Sequence, residues 1–320
     1  MSRLFVTGGA GFVGRALLRA AQARGDSVRA LWHRTPIRMS GVELVRGSLL
    51  EPEGFTASLR GVDVVLHCAA LLDPIDSAAA AEAVNLHGSV ALATAAARAG
   101  VGAFVFMSSS ATIGDAGSGL IDEDAACHPV TLYGHSKRQA ELALMRLPLG
   151  SMRLLLLRPP TVYGPEERRN FLALTRAVAG RRVFIPGRGD NRMSFCHVDN
   201  LAHAGLTLAD HPSATGIVHV ADAESVTFRQ VVNTLGDALG QRGFVPRLPM
   251  PLARAIAIAT ETAWRRRKGA PPFSRQRLRT ISADFALDTT RARSLGVRPR
   301  FCFDVGVRET VDAYRRAGVL

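Results

Sequence analysis

A tyrosine and a lysine lie four residues apart in the segment LYGHSK, as Tyr133 and Lys137, at the start of a predicted helix. On a helix this spacing puts both side chains on one face. The pKa of a phenol is about 10, and a nearby ammonium favours the phenolate and lowers this pKa. The pair therefore predicts a general acid/base, Tyr133, that exchanges a proton with a substrate hydroxyl or ketone. The alternative is an incidental pair on a surface helix.

A run of three serines, Ser108 to Ser110, follows the apolar segment Val101 to Met107. An apolar run of this length is typical of a parallel strand that is buried on both faces. Ligands of open α/β sheets bind outside the carboxyl ends of the strands. We therefore expect Ser110 to hold the substrate oxygen beside Tyr133.

The opening sequence MSRLFVTGGAGFVG reads as a short strand, a tight turn and the start of a helix at Phe12. Gly8, Gly11 and Gly14 are three residues apart, so a bare backbone can approach a pyrophosphate at the helix N-terminus. Unpaired N–H groups and the helix dipole favour negative charge there. The pattern predicts a dinucleotide-binding loop, with an ordinary tight turn as the alternative.

The second predicted strand, Ser27 to Leu31, is followed by Trp32, His33 and Arg34, with no acidic residue. In Rossmann folds an Asp or Glu at this position bonds the ribose 2′-hydroxyl. A carboxylate repels a 2′-phosphate, whereas an arginine pairs with one. The segment favours NADP, with NAD still possible; the alternative is that His33 and Arg34 only begin a solvated loop.

Strands and helices alternate as far as Pro165, which is typical of βαβ units and a parallel sheet. The remaining predicted strands of this half lie at 42–45, 62–67 and 154–157, and a long helix is predicted from Ser77 to Ala99. We predict an α/β fold: a Rossmann doubly wound parallel sheet with a smaller C-terminal substrate domain. The expected division is 1–165 for the dinucleotide and 166–320 for the substrate, with a strand near 217–220 returning to the sheet.

The net charge of +13 comes from 40 basic and 27 acidic residues. Such a positive field favours anionic ligands, and we expect a small-molecule substrate. Because the charge is spread out and no nucleic-acid module is visible, nucleic-acid binding is not expected.

The four cysteines form no CxxC pair, so neither a structural metal site nor a disulfide framework is expected. No apolar run approaches the roughly 20 residues of a membrane span, and the N-terminus enters a strand with no signal peptide ahead of it. We therefore expect a cytoplasmic location.

Four motifs follow one another along the chain: TGGAGFVG, SSSATIG, YGHSK and LRPPTVYGP. Together they resemble the extended short-chain dehydrogenase/reductases, also called the NAD-dependent epimerase/dehydratase group. HVDN, starting at His197, resembles the HVDD segment of that group, and DTTRARSLGVRPR resembles its C-terminal end. The resemblance covers nearly the whole chain, and the combination is specific where each motif alone is not.

The resemblance implies that Ser110 polarises the substrate oxygen, Tyr133 is the general acid/base, and Lys137 binds the nicotinamide ribose. The glycines match the pyrophosphate loop. Two departures from the family pattern are Trp32 in place of the usual acid and Ser48 in place of an Asp near the adenine. The wider set expected to contact the cofactor is Phe12, Val13, Trp32, His33, Arg34, Ser48, Leu49, Cys68, Ala69, Ala70, Asn85, Ser108, Arg158, Pro159 and Pro160. For Asn85, a structural role in a kinked backbone and a surface position are the alternatives.

Two signals point to different substrates. RPPTVYGPEERRNFL and PGRGDNRMSF resemble segments of nucleotide-sugar reductases and 4-epimerases, which implies substrate contacts at Asn170 and Arg192. Thr112, near Ser110, is a further expected contact. PLARAIAIATETAWRRRKG and PPFSR resemble instead the 3β-hydroxysteroid dehydrogenase branch. The sequence leaves both substrates open.

The main hypothesis is an oxidoreductase that interconverts a secondary alcohol and a ketone, expected to be a homodimer. The alternatives are a nucleotide-sugar 4-epimerase with retained NAD, a 3β-hydroxysteroid-type dehydrogenase and a non-catalytic NADP-binding redox sensor.

The segment Leu252 to Trp264 predicts an amphipathic helix that ends in a basic cluster, Arg265 to Lys268. Its basic end suits a membrane surface, or the helix covers the substrate cleft with its charged end in solvent.

Overall fold

A parallel sheet of seven strands forms the centre of the structure, a computed structural model that describes residues 1–72, 78–114, 119–241, 245–265, 271 and 273–320. Every neighbouring pair of strands in it is parallel. The strands lie in the order Gly216–His219, Arg153–Arg158, Ala103–Met107, Val64–His67, Arg3–Thr7, Ser27–Trp32 and Glu43–Arg46. This is the Rossmann order, so the predicted fold class is confirmed.

Side chains of the first strand alternate between two apolar cores, one on each face of the sheet. Leu4 and Val6 pack in the core that contains Leu17 and Leu201, whereas Phe5 packs in the opposite core. Residues from the helices around Leu92 and Leu144 fill that second core. Burial on both faces explains why these strands have apolar runs without alternation.

The strand order reverses between Arg3–Thr7 and Val64–His67, since later strands are added on the opposite side from the second and third. Thr7 and His67 are aligned neighbours at the carboxyl ends of these two strands. A crevice opens where loops leave such neighbouring strands in opposite directions, and ligands of open α/β sheets bind there. The glycine loop after Thr7 begins at this point.

Helices cover both faces of the sheet. The segment predicted as one long helix consists of Ala78–Ala81, a π-helical stretch Glu82–Gly88, and Ser89–Arg98; Ser77, its predicted start, lies outside the described residues. The other helices around the sheet are Phe12–Ala23, Leu132–Met145 and Val198–Asp210, with short 3₁₀ turns at Pro52–Gly54, Thr56–Leu59 and Ser110–Thr112.

An aromatic core that includes Tyr163, Phe171, Phe195 and Phe303 lies among the helices Asn170–Ala179, Phe228–Ala238 and Phe303–Arg316. The other C-terminal helices are Met250–Trp264 and Arg275–Ser282, which meet in a smaller cluster, and Thr290–Ser294, which packs against the core of the sheet. Short strands pair two by two beside them: Thr161–Tyr163 with Phe195–His197, Arg192–Met193 with Val226–Thr227, Ile185–Pro186 with Arg247–Leu248, and Leu120–Ile121 with Ala286–Leu287. The domain division at residue 165 stays a prediction.

Within the described ranges, no helix is long and apolar enough to cross a membrane. The predicted basic cluster is described only at Arg265; Arg266, Arg267 and Lys268 lie outside the described residues.

Candidate active site at the carboxyl edge of the sheet

The glycine loop brings the first strand, the first helix and the chain after His67 into close contact. Gly8 has a φ of +72°, and a Cβ there would lie 2.6 Å from the backbone nitrogen of Ala69. A Cβ on Gly14 would collide with the carbonyl oxygen of Gly8, whereas Gly11 donates its N–H to that same oxygen at 2.8 Å. Side chains at Gly8 and Gly14 would therefore push the loop and the helix apart.

The N-terminus of helix Phe12–Ala23 has no side-chain cap and no acidic residue in its first turn. Gly11 precedes it as an exposed residue, and Phe12 and Val13 are half-buried. The unpaired N–H groups at such a helix start favour an anion. The uncapped helix start and the bare loop together fit the pyrophosphate of a dinucleotide.

A buried chain of hydrogen bonds connects the strand ends beneath this loop. His67 Nδ1 lies 2.6 Å from Thr7 Oγ1, and His67 Nε2 lies 2.8 Å from Ser89 Oγ. The Ser89 hydroxyl donates its hydrogen to the Asn85 carbonyl oxygen, so Ser89 Oγ accepts a bond from the His67 Nε2–H. The other ring nitrogen of His67, Nδ1, then carries no hydrogen and accepts from the Thr7 hydroxyl. Burial, followed by the charge of Lys137, lowers the pKa of His67 to about 3. His67 is thus a neutral structural histidine.

Cys68, Ala69 and Ala70 follow this strand and are half-buried. Burial raises the pKa of the Cys68 thiol to about 12, against the opposing charge of Lys137. Their small side chains leave the strand end open beside Gly8, as the sequence predicts for a surface that faces a cofactor.

The helix Leu132–Met145 holds both predicted catalytic residues and packs against the serine turn. Thr131 caps it, accepting from the Gly134 N–H at 3.0 Å. A Cβ on Gly134 would collide with the carbonyl oxygen of Ala111. A glycine at this position therefore lets the helix approach the turn Ser110–Thr112.

Lys137 is 1% exposed, and its Nζ donates to the Met107 carbonyl oxygen at 2.7 Å. The same ammonium lies 4.2 Å from the centre of the Phe106 ring. Burial lowers the pKa of Lys137 to about 8, although Cys68 and Glu141 act in the opposite direction. The lysine is held at the end of the strand that precedes the serines.

Tyr133 is half-buried. Burial raises the pKa of its phenol, and a hydrogen bond with the Ser109 side chain opposes that rise. The sequence had directed attention to Ser110, which is half-buried and donates its N–H to the Pro159 carbonyl oxygen at 2.8 Å. Both serines therefore lie at this strand end, and Ser109 interacts with the phenol.

A buried ion pair lies beneath the catalytic helix. The Arg158 guanidinium donates to both carboxylate oxygens of Glu141, and Ser108 donates to the same carboxylate at 2.6 Å. Burial acts to raise the pKa of Glu141, but the bonds from Arg158 and Ser108 outweigh it, and the net pKa is lowered. The Ser108 hydroxyl and two of the three guanidinium nitrogens of Arg158, both residues being predicted cofactor contacts, thus bind Glu141. Sequence reasoning missed Glu141, whose only signal was its spacing four residues after Lys137.

Asn85, another predicted cofactor contact, is fully buried inside the π-helical stretch. Its amide bonds both backbone groups of Leu71, at 2.7 and 3.0 Å, and donates to Ser136 Oγ at 2.9 Å. Ser136 in turn donates to the Tyr133 carbonyl oxygen. Asn85 therefore joins the loop after His67 to the catalytic helix, as in the structural alternative.

Pro159 and Pro160 are buried at the end of their strand. Ser48 is buried and accepts from the Leu50 N–H at 3.2 Å, and Leu49 packs in the core on that side of the sheet. These four residues line the carboxyl edge of the sheet, with little side-chain surface open to a ligand.

A cavity of about 570 Å³ lies at the ends of the second and third strands. Trp32 is the register partner of Arg46, whose guanidinium lies 5.4 Å from the centre of the indole ring. His33, Arg34 and Arg46 line this cavity together with the acidic Glu51. Sequence reasoning missed Arg46, because a single basic residue at the end of a strand has no distinguishing pattern.

The backbone N–H groups around the predicted substrate contact Asn170 are bonded within the chain. The Glu167 carboxylate accepts from the backbone N–H groups of Arg169, Asn170, Phe171 and Leu172 at 2.8 to 3.0 Å. It thereby occupies the start of the helix Asn170–Ala179, where the Asn170 side chain is exposed.

The other two predicted substrate contacts are also bonded within the chain. The Arg192 guanidinium donates to Ser225 at 3.0 Å, and its backbone N–H donates to Asp284. Thr112 is fully buried, and its hydroxyl donates to the Ser109 carbonyl oxygen. Glu167 was not predicted from the sequence, since nothing in PEERRN distinguishes a capping carboxylate from a solvated one.

Comparisons with known proteins find relatives that cover most of this chain. The chain is 28% identical over 328 residues to a 4-hydroxy-2-methyl-3-oxo-4-farnesyl-3,4-dihydroquinoline-1-oxide ketoreductase of Stigmatella aurantiaca, covering 99% of this chain and 96% of that protein. It is 31% identical over 261 residues to a UDP-glucose 4-epimerase of Vibrio cholerae, covering 78% and 79%. It is 28% identical over 344 residues to a 3 beta-hydroxysteroid dehydrogenase/Delta 5-->4-isomerase of Mycobacterium tuberculosis, covering 98% and 90%. Both resemblances noted in the sequence are thus confirmed.

Among solved structures, MoeE5 in complex with UDP-glucuronic acid and NAD is similar with a TM-score of 0.75 and 25% identity, covering 98% of this chain and 99% of that one. The model of the NAD dependent epimerase/dehydratase family matches residues 4–221, which hold the glycine loop, the serine run and the Tyr133–Lys137 helix. The chain therefore belongs to the NAD-dependent epimerase/dehydratase family and is an enzyme of the extended short-chain dehydrogenase/reductase type.

Proposed function

We propose that this enzyme is an NADP-preferring oxidoreductase that interconverts a secondary alcohol and a ketone, with Tyr133 as the general acid/base. One observation carries the proposal: Tyr133 lies one helical turn from a lysine that is 1% exposed, beside two serines at a strand end. Burying an ammonium at this edge costs free energy, because the Met107 carbonyl oxygen and the face of the Phe106 ring replace water around it. We infer that its positive charge stabilises a phenolate there.

The proposed chemistry follows from these side chains. A nicotinamide bound at this strand edge would supply hydride to the carbonyl carbon of the substrate, or accept it in the reverse direction. In the direction of reduction, the Tyr133 hydroxyl donates its proton to the substrate oxygen. Ser110 donates a hydrogen bond to the same oxygen and holds it in place. The resulting phenolate is stabilised by the Ser109 hydroxyl and by the positive charge of Lys137.

The preference for NADP rests on the cavity after the second strand. Arg34 and Arg46 supply positive charge there, and Trp32 stands where a carboxylate would repel a 2′-phosphate. Glu51 lines the same cavity and opposes this preference, so the two arginines must outweigh one carboxylate. NAD is expected to bind more weakly, since it offers these arginines no 2′-phosphate.

For the substrate, we propose a ketone or alcohol without a diphosphate. The N–H groups at the start of helix Asn170–Ala179 are the natural donors for an anion on this side, and Glu167 occupies them. A diphosphate would have to displace that carboxylate or lie beside its charge. The ketoreductase relative, which matches almost the full length of both chains, supports a ketone that is not a nucleotide sugar.

A nucleotide-sugar 4-epimerase is the second candidate, because the epimerase relative is 31% identical. An epimerase uses the same tyrosine and lysine but keeps its NAD and returns the hydride to the other face of the sugar. A 3β-hydroxysteroid-type reaction is one form of the main proposal. A non-catalytic sensor needs neither Tyr133 nor Lys137, which this chain has.

The test is an anaerobic screen of purified enzyme with NADPH and NADH. Hydrophobic ketones, sterols and UDP-sugars are each followed by NAD(P)H absorbance and mass spectrometry. We expect turnover of neutral ketones, faster with NADPH, and no nucleotide in the supernatant after the protein is denatured. Stoichiometric NAD in that supernatant, together with interconversion of UDP-sugars, would show an epimerase instead. Size-exclusion chromatography in the same experiment tests the proposed homodimer.

A further inference from the structure

The helix Met250–Trp264 buries almost none of its surface. Of its 15 residues, only Ala253 and Ala257 are buried, and they pack in a small cluster with Leu278. The helix is nevertheless rich in large aliphatic side chains. Leu252 is 49% exposed, Ile256 37% and Ile258 50%.

These aliphatic residues share one face, the outer face of the helix. At 3.6 residues per turn, an arc of about 160° opposite the buried alanines contains no charged residue. Leu252, Ile256 and Ile258 lie on it, and the rest of the arc is filled by Pro251, Ala255, Ala259, Thr262 and Ala263. A surface helix usually turns an apolar stripe inward and a polar face outward, whereas this helix is apolar on both its inner and its outer face.

Basic side chains lie along one edge of this outer face. Arg254 and Arg265 are exposed there, next to Ile258 around the helix. The one acidic residue at that edge, Glu261, accepts two bonds from Arg275, at 2.7 and 2.8 Å. The edge therefore combines two exposed guanidinium groups with a carboxylate that is already paired.

We propose that the outer face of Met250–Trp264 docks on an anionic lipid surface. Aliphatic side chains enter the boundary between headgroups and acyl chains, and arginines at the edge pair with lipid phosphates. The formal net charge of +13 draws the whole molecule to such a surface.

Vesicle co-sedimentation at about 0.1 M salt tests this. The vesicles are phosphatidylcholine alone or a mixture with phosphatidylglycerol. Ile258→Glu is compared with Val305→Glu, because Val305 is also β-branched and lies 51% exposed on a different helix, close to the 50% of Ile258. We expect the wild type and Val305→Glu to bind the anionic vesicles, with Ile258→Glu weaker by at least about tenfold, since a carboxylate replaces the inserted side chain.

The arginines are tested by the double variant Arg254→Ala/Arg265→Ala, for which we expect weaker binding to anionic vesicles and a smaller dependence on salt. Absence of vesicle binding by the wild type, equal binding to neutral vesicles, or equal loss in Ile258→Glu and Val305→Glu would each overturn the proposal. A wild-type dimer that Ile258→Glu converts to a monomer, with no vesicle binding, would identify the face as a self-association surface instead. Circular dichroism checks that each variant is folded.

Discussion

The Glu141 carboxylate accepts hydrogen bonds from Arg158 at 2.9 and 2.7 Å, and neither side chain is more than 1% exposed. The pair fastens the helix that holds Tyr133 and Lys137 to the strand Arg153–Arg158. Ser108 bonds the same carboxylate and adds the strand Ala103–Met107. One acidic side chain thus fixes the catalytic helix against two strands of the sheet.

Glu141→Ala should lower the free energy of unfolding by about 3 to 5 kcal/mol, because it leaves the Arg158 charge buried without its partner. Urea denaturation measures this change, with Glu53→Ala at an exposed position as the control, expected within about 0.5 kcal/mol of the wild type. The double variant Glu141→Leu/Arg158→Met should be more stable than Glu141→Ala. A loss below about 1 kcal/mol in Glu141→Ala would mean that the ion pair is not what holds the helix.

Arg34→Ala should weaken NADPH binding by about tenfold or more while NADH binding changes little, because only NADP carries the 2′-phosphate. Arg46→Ala should act in the same direction, with an added loss from its contact with Trp32. Dissociation constants from fluorescence titration measure both effects, and Arg98→Ala, exposed elsewhere, is the control. Equal weakening of both cofactors in Arg34→Ala would remove the basis for the proposed NADP preference.

Ser109→Ala and Ser110→Ala should have different effects on alcohol oxidation. The Ser109 side chain lowers the pKa of Tyr133, so its loss should move the rising limb of the pH–rate profile to higher pH. Ser110→Ala should lower kcat at all pH values without that shift, since its proposed partner is the substrate oxygen. Profiles of kcat and kcat/KM distinguish the two serines. A shift of the rising limb in Ser110→Ala but not in Ser109→Ala would mean that Ser110, rather than Ser109, lowers the pKa of Tyr133.

Acid should destabilise the protein through three buried histidines. Burial is the first cause that lowers the pKa values of His67, His197 and His219, to about 3, 4 and 4. In the unfolded chain they titrate near about 6.5, so the unfolded state binds more protons between about pH 4 and 6.5. The free energy of unfolding therefore falls as the pH falls through this window, and it recovers as the pH rises to the pKa of the histidines in the unfolded chain.

Urea unfolding at several pH values measures this slope. His67→Gln should reduce it by about 1.4 kcal/mol per pH unit, because one proton fewer is taken up on unfolding. A slope that is the same in His67→Gln and the wild type would mean that His67 is protonated in the folded state.

The sequence predicted the parts of the structure that depend on local pattern. The helix predicted to begin in the segment LYGHSK is observed as Leu132–Met145, and the strand Ala103–Met107 ends at the predicted serines. The glycine spacing predicted a close approach of backbone segments, and Gly8 and Gly14 have no room for a Cβ. These features were predictable because each is encoded within a few neighbouring residues.

Features that depend on a distant partner were not predictable. Glu141 and Arg158 are 17 residues apart, and Asn85 and Ser136 are 51 apart. Within the π-helical turn, the Asn85 amide bonds the backbone of Leu71, which lies in a loop that periodicity does not describe. Glu167 shows the same limit, since only the fold reveals that its carboxylate caps a helix.

The most direct test of the proposed mechanism is Tyr133→Phe, measured for turnover and for cofactor binding on the same preparation. The substitution removes one hydroxyl and leaves the ring that packs at the serine turn. We expect kcat to fall by at least about 100-fold, as for the loss of a general acid/base, with cofactor affinity unchanged within about twofold. Activity equal to that of the wild type in folded, cofactor-binding Tyr133→Phe would contradict the assignment of Tyr133 as the general acid/base.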